Sequence, residues 1–90
     1  MSFTQSLGVE WATRGVRVNA LVPGWIETDL TGFLRDGEGN NDMGEVLIGR
    51  VPMQRWGSVR EIAEPAVFLA SDESSYVTGD RILVCGGKYM

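Results

Sequence analysis

The sequence contains no histidine and a single cysteine, Cys85. One cysteine cannot form an intrachain disulfide, and a structural zinc site, which needs four Cys or His ligands, is close to excluded. Basic residues are also few, eight Lys and Arg against twelve Asp and Glu, for a formal net charge of −4. Because nucleic-acid binding depends on clustered basic charge, these scattered residues argue against a nucleic-acid partner.

Long apolar runs are missing as well. No stretch approaches the roughly 20 residues that a transmembrane helix requires, so we expect no membrane span. The N-terminus lacks the basic flank and apolar core of a signal peptide, and the simplest expectation is a cytoplasmic protein. With 90 residues the chain allows one small domain.

Local signals predict elements in the order helix, strand, lid, helix, strand. Ser2 and Gln5 have the spacing of a capping box, and Gly15 is a natural residue to end the helix that follows. The apolar face predicted for this helix comprises Phe3, Leu7, Val9, Trp11 and Ala12.

Two short apolar runs predict buried strands, one over 16–22 that stops at Pro23-Gly24 and one over 81–85. Strands separated by a helix favour a right-handed parallel crossover. Parallel sheets are covered on both faces and usually contain more than two strands. The chain is therefore expected to be the later part of a larger α/β sheet.

The segment 31–50 is predicted to be a mobile lid. Glycines and asparagines loosen it, and two short apolar clusters predict helical turns on either side of a tip. We expect its amides to exchange faster than those of the two strands. Acidic residues in and before this segment indicate either a cation site or a solvated lid, and their irregular spacing favours the lid. They are Glu27, Asp29, Asp36, Glu38, Asp42 and Glu45.

A second capping box, Ser58 with Glu61, precedes the predicted second helix, which reaches Ala70. Pro65 lies inside that helix. Proline removes the backbone hydrogen bond to the carbonyl four residues earlier, that of Glu61, so we predict a kink.

A ligand site is predicted just after the first strand, because ligands of open parallel sheets bind beyond the carboxyl ends of the strands. The turn at Pro23-Gly24 and the hydroxyl of Thr28 lie there. Thr28 could also be the cap of a helix beginning at Asp29. Trp25 either walls a substrate pocket or has a structural role.

Six motifs resemble, in order and spacing, the C-terminal part of the short-chain dehydrogenase/reductase family. They are Arg17-Val-Asn-Ala20, Pro23-Gly-Trp-Ile-Glu-Thr28, Arg55-Trp-Gly57, Glu61-Ile-Ala63, Phe68-Leu-Ala-Ser-Asp72 and Tyr76-Val-Thr-Gly79. The resemblance implies the C-terminal part of a Rossmann-like doubly wound parallel sheet, with 1–90 as a single partial domain.

The same resemblance implies a cofactor, NAD or NADP, and a small alcohol or carbonyl substrate. The cofactor-binding residues that it implies are Pro23, Gly24, Ile26 and Thr28. The residues of the substrate lid that it implies are Trp25, Leu30, Phe33 and Leu34. It further implies hydride transfer in the complete enzyme. The apolar face of the first helix and the bare strand edges separately predict association, as a homo-oligomer or with a partner, or else a poorly folded monomer.

The motifs that carry the family's chemistry are absent from these residues. The catalytic Ser and the Tyr-x-x-x-Lys pair have no counterpart, since Tyr76 is followed at that spacing by Asp80. The glycine-rich pyrophosphate loop has none either. We therefore expect no catalytic residue, no metal ligand and no turnover from this chain alone. The alternative is a non-catalytic remnant or an oligomerising interaction module.

Several conspicuous side chains have structural interpretations. Arg17 and Asn19 are predicted to bond loops or to close the sheet, and Trp11 is predicted to lie in a core or an interface. Trp56 is predicted to pack under the lid. Cys85, where the family usually has Asp, is interpreted as a small buried residue at a strand end, with a reactive thiol as the alternative.

Overall fold

The structure is a computed structural model that describes residues 1–35 and 43–87. Contacts group the chain into two compact units, one formed by 1–22 and 63–82, the other by 23–62 and 83–90. The prediction of a single partial domain stays a prediction. None of the helices within the described residues has the length and apolarity needed to cross a membrane.

Helix α1 covers Phe3–Trp11 and begins where the capping box predicts. The Gln5 amide donates to Ser2 Oγ at 3.2 Å, and the Ser2 amide donates to Gln5 Oε1 at 2.8 Å. A 3-10 turn over Ala12–Arg14 follows and ends at Gly15, whose φ of 74° is left-handed. Glycine adopts that conformation without steric cost, so the predicted helix end is confirmed as well.

Strands β1 (Ala20–Pro23) and β2 (Arg81–Val84) pair as a two-stranded parallel sheet. The predicted start of the first strand at residue 16 is wrong. The Val18 amide donates to the Thr78 side chain at 3.1 Å, and its carbonyl accepts from Gly79 N–H at 2.7 Å. The chain opposite 16–19 is a turn without a ladder, and regular pairing begins at Ala20.

The predicted helical turns of the lid segment are present on both sides. A 3-10 turn at Asp29–Thr31 leads into α2 (Gly32–Arg35), and α3 covers Met43–Gly49. The predicted tip lies outside the described residues. The tip residues concerned are Gly37, Gly39, Asn40 and Asn41, and the mobility of 31–50 stays a prediction.

Helix α4 (Val59–Ala70) begins at the second predicted capping box. The Glu61 amide donates to Ser58 Oγ at 3.2 Å, and the Ser58 amide donates to Glu61 Oε1 at 3.0 Å. The helix continues through Pro65, and the kink stays a prediction.

Polar side chains join the two chain segments of the first unit. Arg17 donates to Ser74 Oγ at 2.8 Å and to the Ser71 carbonyl at 3.0 Å. Asn19 donates to the Val77 carbonyl at 2.9 Å. Ser74 is only 1% exposed. Burying a polar group is tolerated when it is hydrogen-bonded, so these contacts confirm the structural roles predicted for Arg17 and Asn19.

Fully buried apolar side chains are scarce in the described parts of the chain. They are Val51 at 3% exposure and Cys85 at 8%, both in the second unit. The interpretation of Cys85 as a small buried residue at a strand end is confirmed. On α1, Phe3 is 80% exposed and Val9 68%. A chain this size thus leaves much of its predicted apolar helix face uncovered.

Candidate functional site

The site begins where β1 gives way to a loop at Gly24. The Gly24 amide donates to the Val84 carbonyl at 2.9 Å. A Cβ on Gly24 would lie 2.7 Å from Cys85 Cα, which is closer than real Cβ atoms approach backbone. Close packing of the two chain segments therefore requires glycine here.

Ile26 is held by a single bridge to Gly57. Gly57 N–H donates to the Trp25 carbonyl at 3.0 Å, and Glu27 N–H donates to the Gly57 carbonyl at 2.8 Å. In such a parallel bridge the central residue directs its own N–H and C=O to the other side. The backbone N–H of Ile26 therefore points away from Gly57, at the start of the turn that follows.

Thr28 and Thr31 close that turn. The Thr28 amide donates to Thr31 Oγ1 at 3.0 Å, and Thr31 Oγ1 donates to the Ile26 carbonyl at 2.7 Å. Arg35 also donates to the Thr28 carbonyl, at 2.9 Å. Sequence reasoning missed Thr31, although a Thr three residues after a cap position is a recognisable signal.

Thr28 occupies the cap position before the 3-10 turn, one of its two predicted roles. Its hydroxyl lies 3.4 Å from Thr31 Oγ1, at the long limit of a hydrogen bond. The Thr28 side chain also accepts from the Thr31 amide in the capping box, which leaves its proton and one lone pair for a ligand. The two roles do not exclude each other.

An amide donor and a hydroxyl on one short turn can together bind a ligand group that has both an acceptor and a donor. A carboxamide presents one acceptor oxygen and an NH₂ donor, which suit an N–H and a hydroxyl respectively. Nicotinamide carries such a group, so the residues of this turn fit the cofactor that the motifs imply. The assignment of Pro23, Gly24, Ile26 and Thr28 as cofactor ligands stays a prediction.

A cavity of about 320 Å³ lies in the second unit. Apolar walls come from Trp25, Val51, Met53 and Leu83. Trp25 is thus on a cavity wall, and whether substrate enters the cavity stays a prediction. The Trp25 and Trp56 rings meet edge to face, with centroids 6.2 Å apart and planes at 72°. This arrangement is the favourable one for aromatic pairs.

One ion pair forms the polar wall of the cavity. Arg55 contacts Glu61 through two parallel bonds, at 2.9 and 2.8 Å. Hydrogen bonds from Arg55 and from the Ser58 amide lower the pKa of Glu61 to about 2. The carboxylate stays charged at neutral pH, which suits holding the loop before α4 and does not suit general acid catalysis.

The predicted lid residues lie on the turns that follow Thr28. Leu30 is 85% exposed and Phe33 52%, whereas Leu34 is half-buried. α2 and α3 touch, because a Cβ on the buried Gly44 would collide with the Leu34 carbonyl. The two helical pieces of the lid thus form one packed element with exposed apolar side chains.

Acidic side chains do not converge on a metal site in 1–35 or 43–87. No group of three or more His, Cys, Asp and Glu residues lies close enough together there to hold an ion. Three members of the acidic set, Asp36, Glu38 and Asp42, lie outside the described residues.

Comparison with known proteins gives consistent matches. The family model described as enoyl-(acyl carrier protein) reductase matches residues 1–88. The chain is 48% identical over 82 residues to a 2-dehydro-3-deoxy-D-gluconate 5-dehydrogenase of Pseudoalteromonas atlantica, covering 91% of this chain and 31% of that protein. It is 46% identical over 90 residues to the 3-oxoacyl-(acyl-carrier-protein) reductase FabG of Salmonella typhimurium, covering all of this chain and 35% of the reductase.

Among solved structures, an Agrobacterium tumefaciens protein described as a 2-deoxy-D-gluconate 3-dehydrogenase, with bound NADP, has a TM-score of 0.86 and 41% identity. The match covers 96% of this chain and 34% of that one. The chain therefore spans about a third of the length of the relatives it matches. The resemblance seen in the motifs and the α/β fold expected from them are confirmed.

Proposed function

The chain belongs to the short-chain dehydrogenase/reductase family, and from this membership we propose that it serves an NAD(P)-dependent oxidoreductase of small alcohols or carbonyls. Residues 1–90 would supply the nicotinamide-facing loop, the substrate lid and the last strand of the Rossmann-like sheet. The observation that carries the proposal is the turn after β1, where the Ile26 amide and the Thr28 hydroxyl are available on one short segment.

In this proposal the turn recognises the carboxamide of the nicotinamide ring. The Ile26 amide would donate to the carboxamide oxygen, and the Thr28 hydroxyl would accept from its NH₂ group. Two contacts to one planar group fix which face of the ring is presented to substrate. When bound, NAD(P) supplies the ring carbon that gives or takes the hydride.

The apolar lid side chains would cover the substrate. Leu30 and Phe33 are exposed on the turns that follow Thr28. Burying their apolar surface against a ligand would be favourable. Trp25 would contribute from the cavity wall. Because the family's Ser, Tyr and Lys have no counterpart in this chain, we propose that residues 1–90 alone do not transfer hydride.

A binding experiment tests the cofactor role. NADH and NADPH would be titrated, by fluorescence, into the protein at its full natural length and into Thr28→Val and Thr13→Val variants. Thr28→Val is expected to weaken binding about tenfold, the factor that corresponds to about 1.4 kcal/mol. Thr13→Val makes the same chemical change at an exposed position and should have no effect. Equal affinity in all three proteins would overturn the assignment of Thr28.

The second candidate function is a non-catalytic module that associates with further copies of itself. The exposure of Phe3 and Val9 on α1 favours it, because exposed apolar patches promote association. Light scattering of the 90-residue chain and of Phe3→Ser would test this. A concentration-dependent oligomer that Phe3→Ser dissociates is expected. A monodisperse monomer with a sharp unfolding transition would exclude it.

A further inference from the structure

We infer that Thr31 is a positioning residue of the nicotinamide site, which acts through Ile26 and Thr28 without touching the cofactor. The inference rests on the proposed function, since it concerns the same turn. It adds a residue that lies outside the six motifs found in the sequence.

The hydrogen bonds around Thr31 account for all that its hydroxyl can do. Its single proton has two acceptors within reach, the Ile26 carbonyl at 2.7 Å and the Thr28 carbonyl at 3.2 Å, and the shorter contact is the stronger one. One lone pair accepts the Thr28 amide at 3.0 Å. The remaining lone pair faces Thr28 Oγ1 at 3.4 Å, which is a weak contact. The Thr31 hydroxyl is therefore fully used, whereas the Thr28 hydroxyl, which accepts from the Thr31 amide in the capping box, keeps its proton and one lone pair.

The contacts of Thr31 bear on the orientation of the two groups that would bind the ligand, the Ile26 amide and the Thr28 hydroxyl. Holding the Ile26 carbonyl fixes the peptide plane after Ile26, and holding the Thr28 amide fixes the plane before Thr28. These two planes flank Glu27, so Thr31 holds the backbone between the two ligand groups and with it the Thr28 residue. The Ile26 amide lies in the preceding peptide, whose Trp25 carbonyl accepts from Gly57 N–H at 3.0 Å. Arg35 holds the next carbonyl, that of Thr28, at 2.9 Å. A site whose groups are held before binding loses less entropy when the ligand arrives.

The first experiment uses no cofactor. Amide hydrogen exchange at Thr28 would be compared in the full-length protein and in its Thr31→Val and Thr31→Ser variants. Valine keeps the shape and removes the hydroxyl, whereas serine keeps the hydroxyl. Exchange is expected to be at least about tenfold faster in Thr31→Val and near the original rate in Thr31→Ser, by the tenfold-per-1.4 kcal/mol relation. Unchanged exchange in Thr31→Val would overturn the inference.

The second experiment separates positioning from general destabilisation. Affinity would be measured for NADPH, for NADH and for ADP-ribose, which lacks the nicotinamide ring. Thr31→Val is expected to weaken the nicotinamide cofactor about tenfold, to leave ADP-ribose unchanged and to be rescued by Thr31→Ser. Equal losses for the cofactor and for ADP-ribose, or no rescue by serine, would overturn the positioning role.

The outcomes also distinguish this inference from the proposed function. If Thr28→Val weakens the cofactor and Thr31→Val does not, the positioning role fails and the cofactor site stands. If neither NADH nor NADPH binds the unaltered protein, the proposed function fails and the positioning role fails with it. Thr13→Val is the matched control and should match the unaltered protein in every measurement.

Discussion

The two units differ in the sequence separation of the side-chain hydrogen bonds that stabilise each of them. In the first unit, residues 17–19 bond to residues 71–80, far away in the sequence. In the second, Thr28 pairs with Thr31 and Ser58 with Glu61, within single turns. Distant contacts form only when the chain has folded, whereas local ones are favoured by the sequence around them. In the candidate cofactor turn, Thr28 is held by the local kind of contact, whereas Ile26 is held by the distant bridge to Gly57.

The largest effect is expected where α1 meets the turn before β2 in the first unit. A Cβ on Gly8 would lie 2.7 Å from both Cα and N of Gly79, and backbone cannot yield easily. Gly8→Ala should lower the free energy of unfolding by about 2–3 kcal/mol, measured by urea denaturation. The control is Gly49→Ala, where nothing lies within 4 Å of the new methyl group, and stability should hold or rise. Equal results for the two variants would contradict the close packing.

A smaller effect is expected from removing the long-range polar contacts. Arg17→Met deletes the donors to Ser74 and to the Ser71 carbonyl while keeping the aliphatic stem. The free energy of unfolding should fall by about 2 kcal/mol, because acceptors in a part-buried site lose a charged donor. Arg50→Met, at an exposed arginine, should change stability by less than about 0.5 kcal/mol. If Arg17→Met proved as mild, the network would not stabilise this unit.

Local contacts in the second unit should matter less. Ser58→Ala removes the cap of α4, and a cap of this kind contributes about 1 kcal/mol. Ser6→Ala, at an exposed position within α1, serves as control and should be nearly neutral. The midpoints of urea denaturation of the two variants, compared with that of the unaltered protein, measure the difference. A loss larger than that of Arg17→Met would reverse the proposed order of the two kinds of contact.

The smallest effect is a pH dependence. The pKa of Glu61 is about 2 in the folded protein, below its ordinary 4.5, so its contribution to stability is present above about 4.5 and is lost as the pH falls toward 2. The pair is about half exposed, so solvent screens it and the effect should be slight. Glu61→Gln should reduce the difference between urea midpoints at pH 6 and pH 3, while Glu10→Gln on α1 should preserve it. An unchanged difference in Glu61→Gln would show that the pair does not act this way.

The local elements were the predictable part of the fold. Both capping boxes, the left-handed Gly15 and the helical turns of the lid depend on residues a few positions apart, and each is confirmed. The start of β1 was mispredicted because 16–19 has strand-like composition, yet its neighbour is a turn. Composition records the preference of a segment and says nothing about what lies beside it.

The candidate site likewise has a part that was predictable from local sequence and a part that was not. The loop after β1 was predictable from a strand followed by Pro23-Gly24. The bridge from Ile26 to Gly57 was not, because no local signal links segments so far apart in sequence. Thr31 was missed for another reason. A threonine close to a cap has many possible partners, and only coordinates show that its proton goes to the Ile26 carbonyl.

The bridge between Ile26 and Gly57 also determines how this protein can be redesigned. The chain leaves this crossing at Ile26 and returns to it at Gly57, so the bridge holds both ends of the intervening segment. Doubling the length of a flexible insert costs only about 0.6 kcal/mol in closure entropy. Extra residues inserted after α3, at the exposed Gly49 and Arg50, should therefore cost little stability while Thr31, Arg35 and the crossing hold the turn after β1 in place. Under the proposed function, the length of the segment over the substrate would then be adjustable without moving the turn that faces the cofactor.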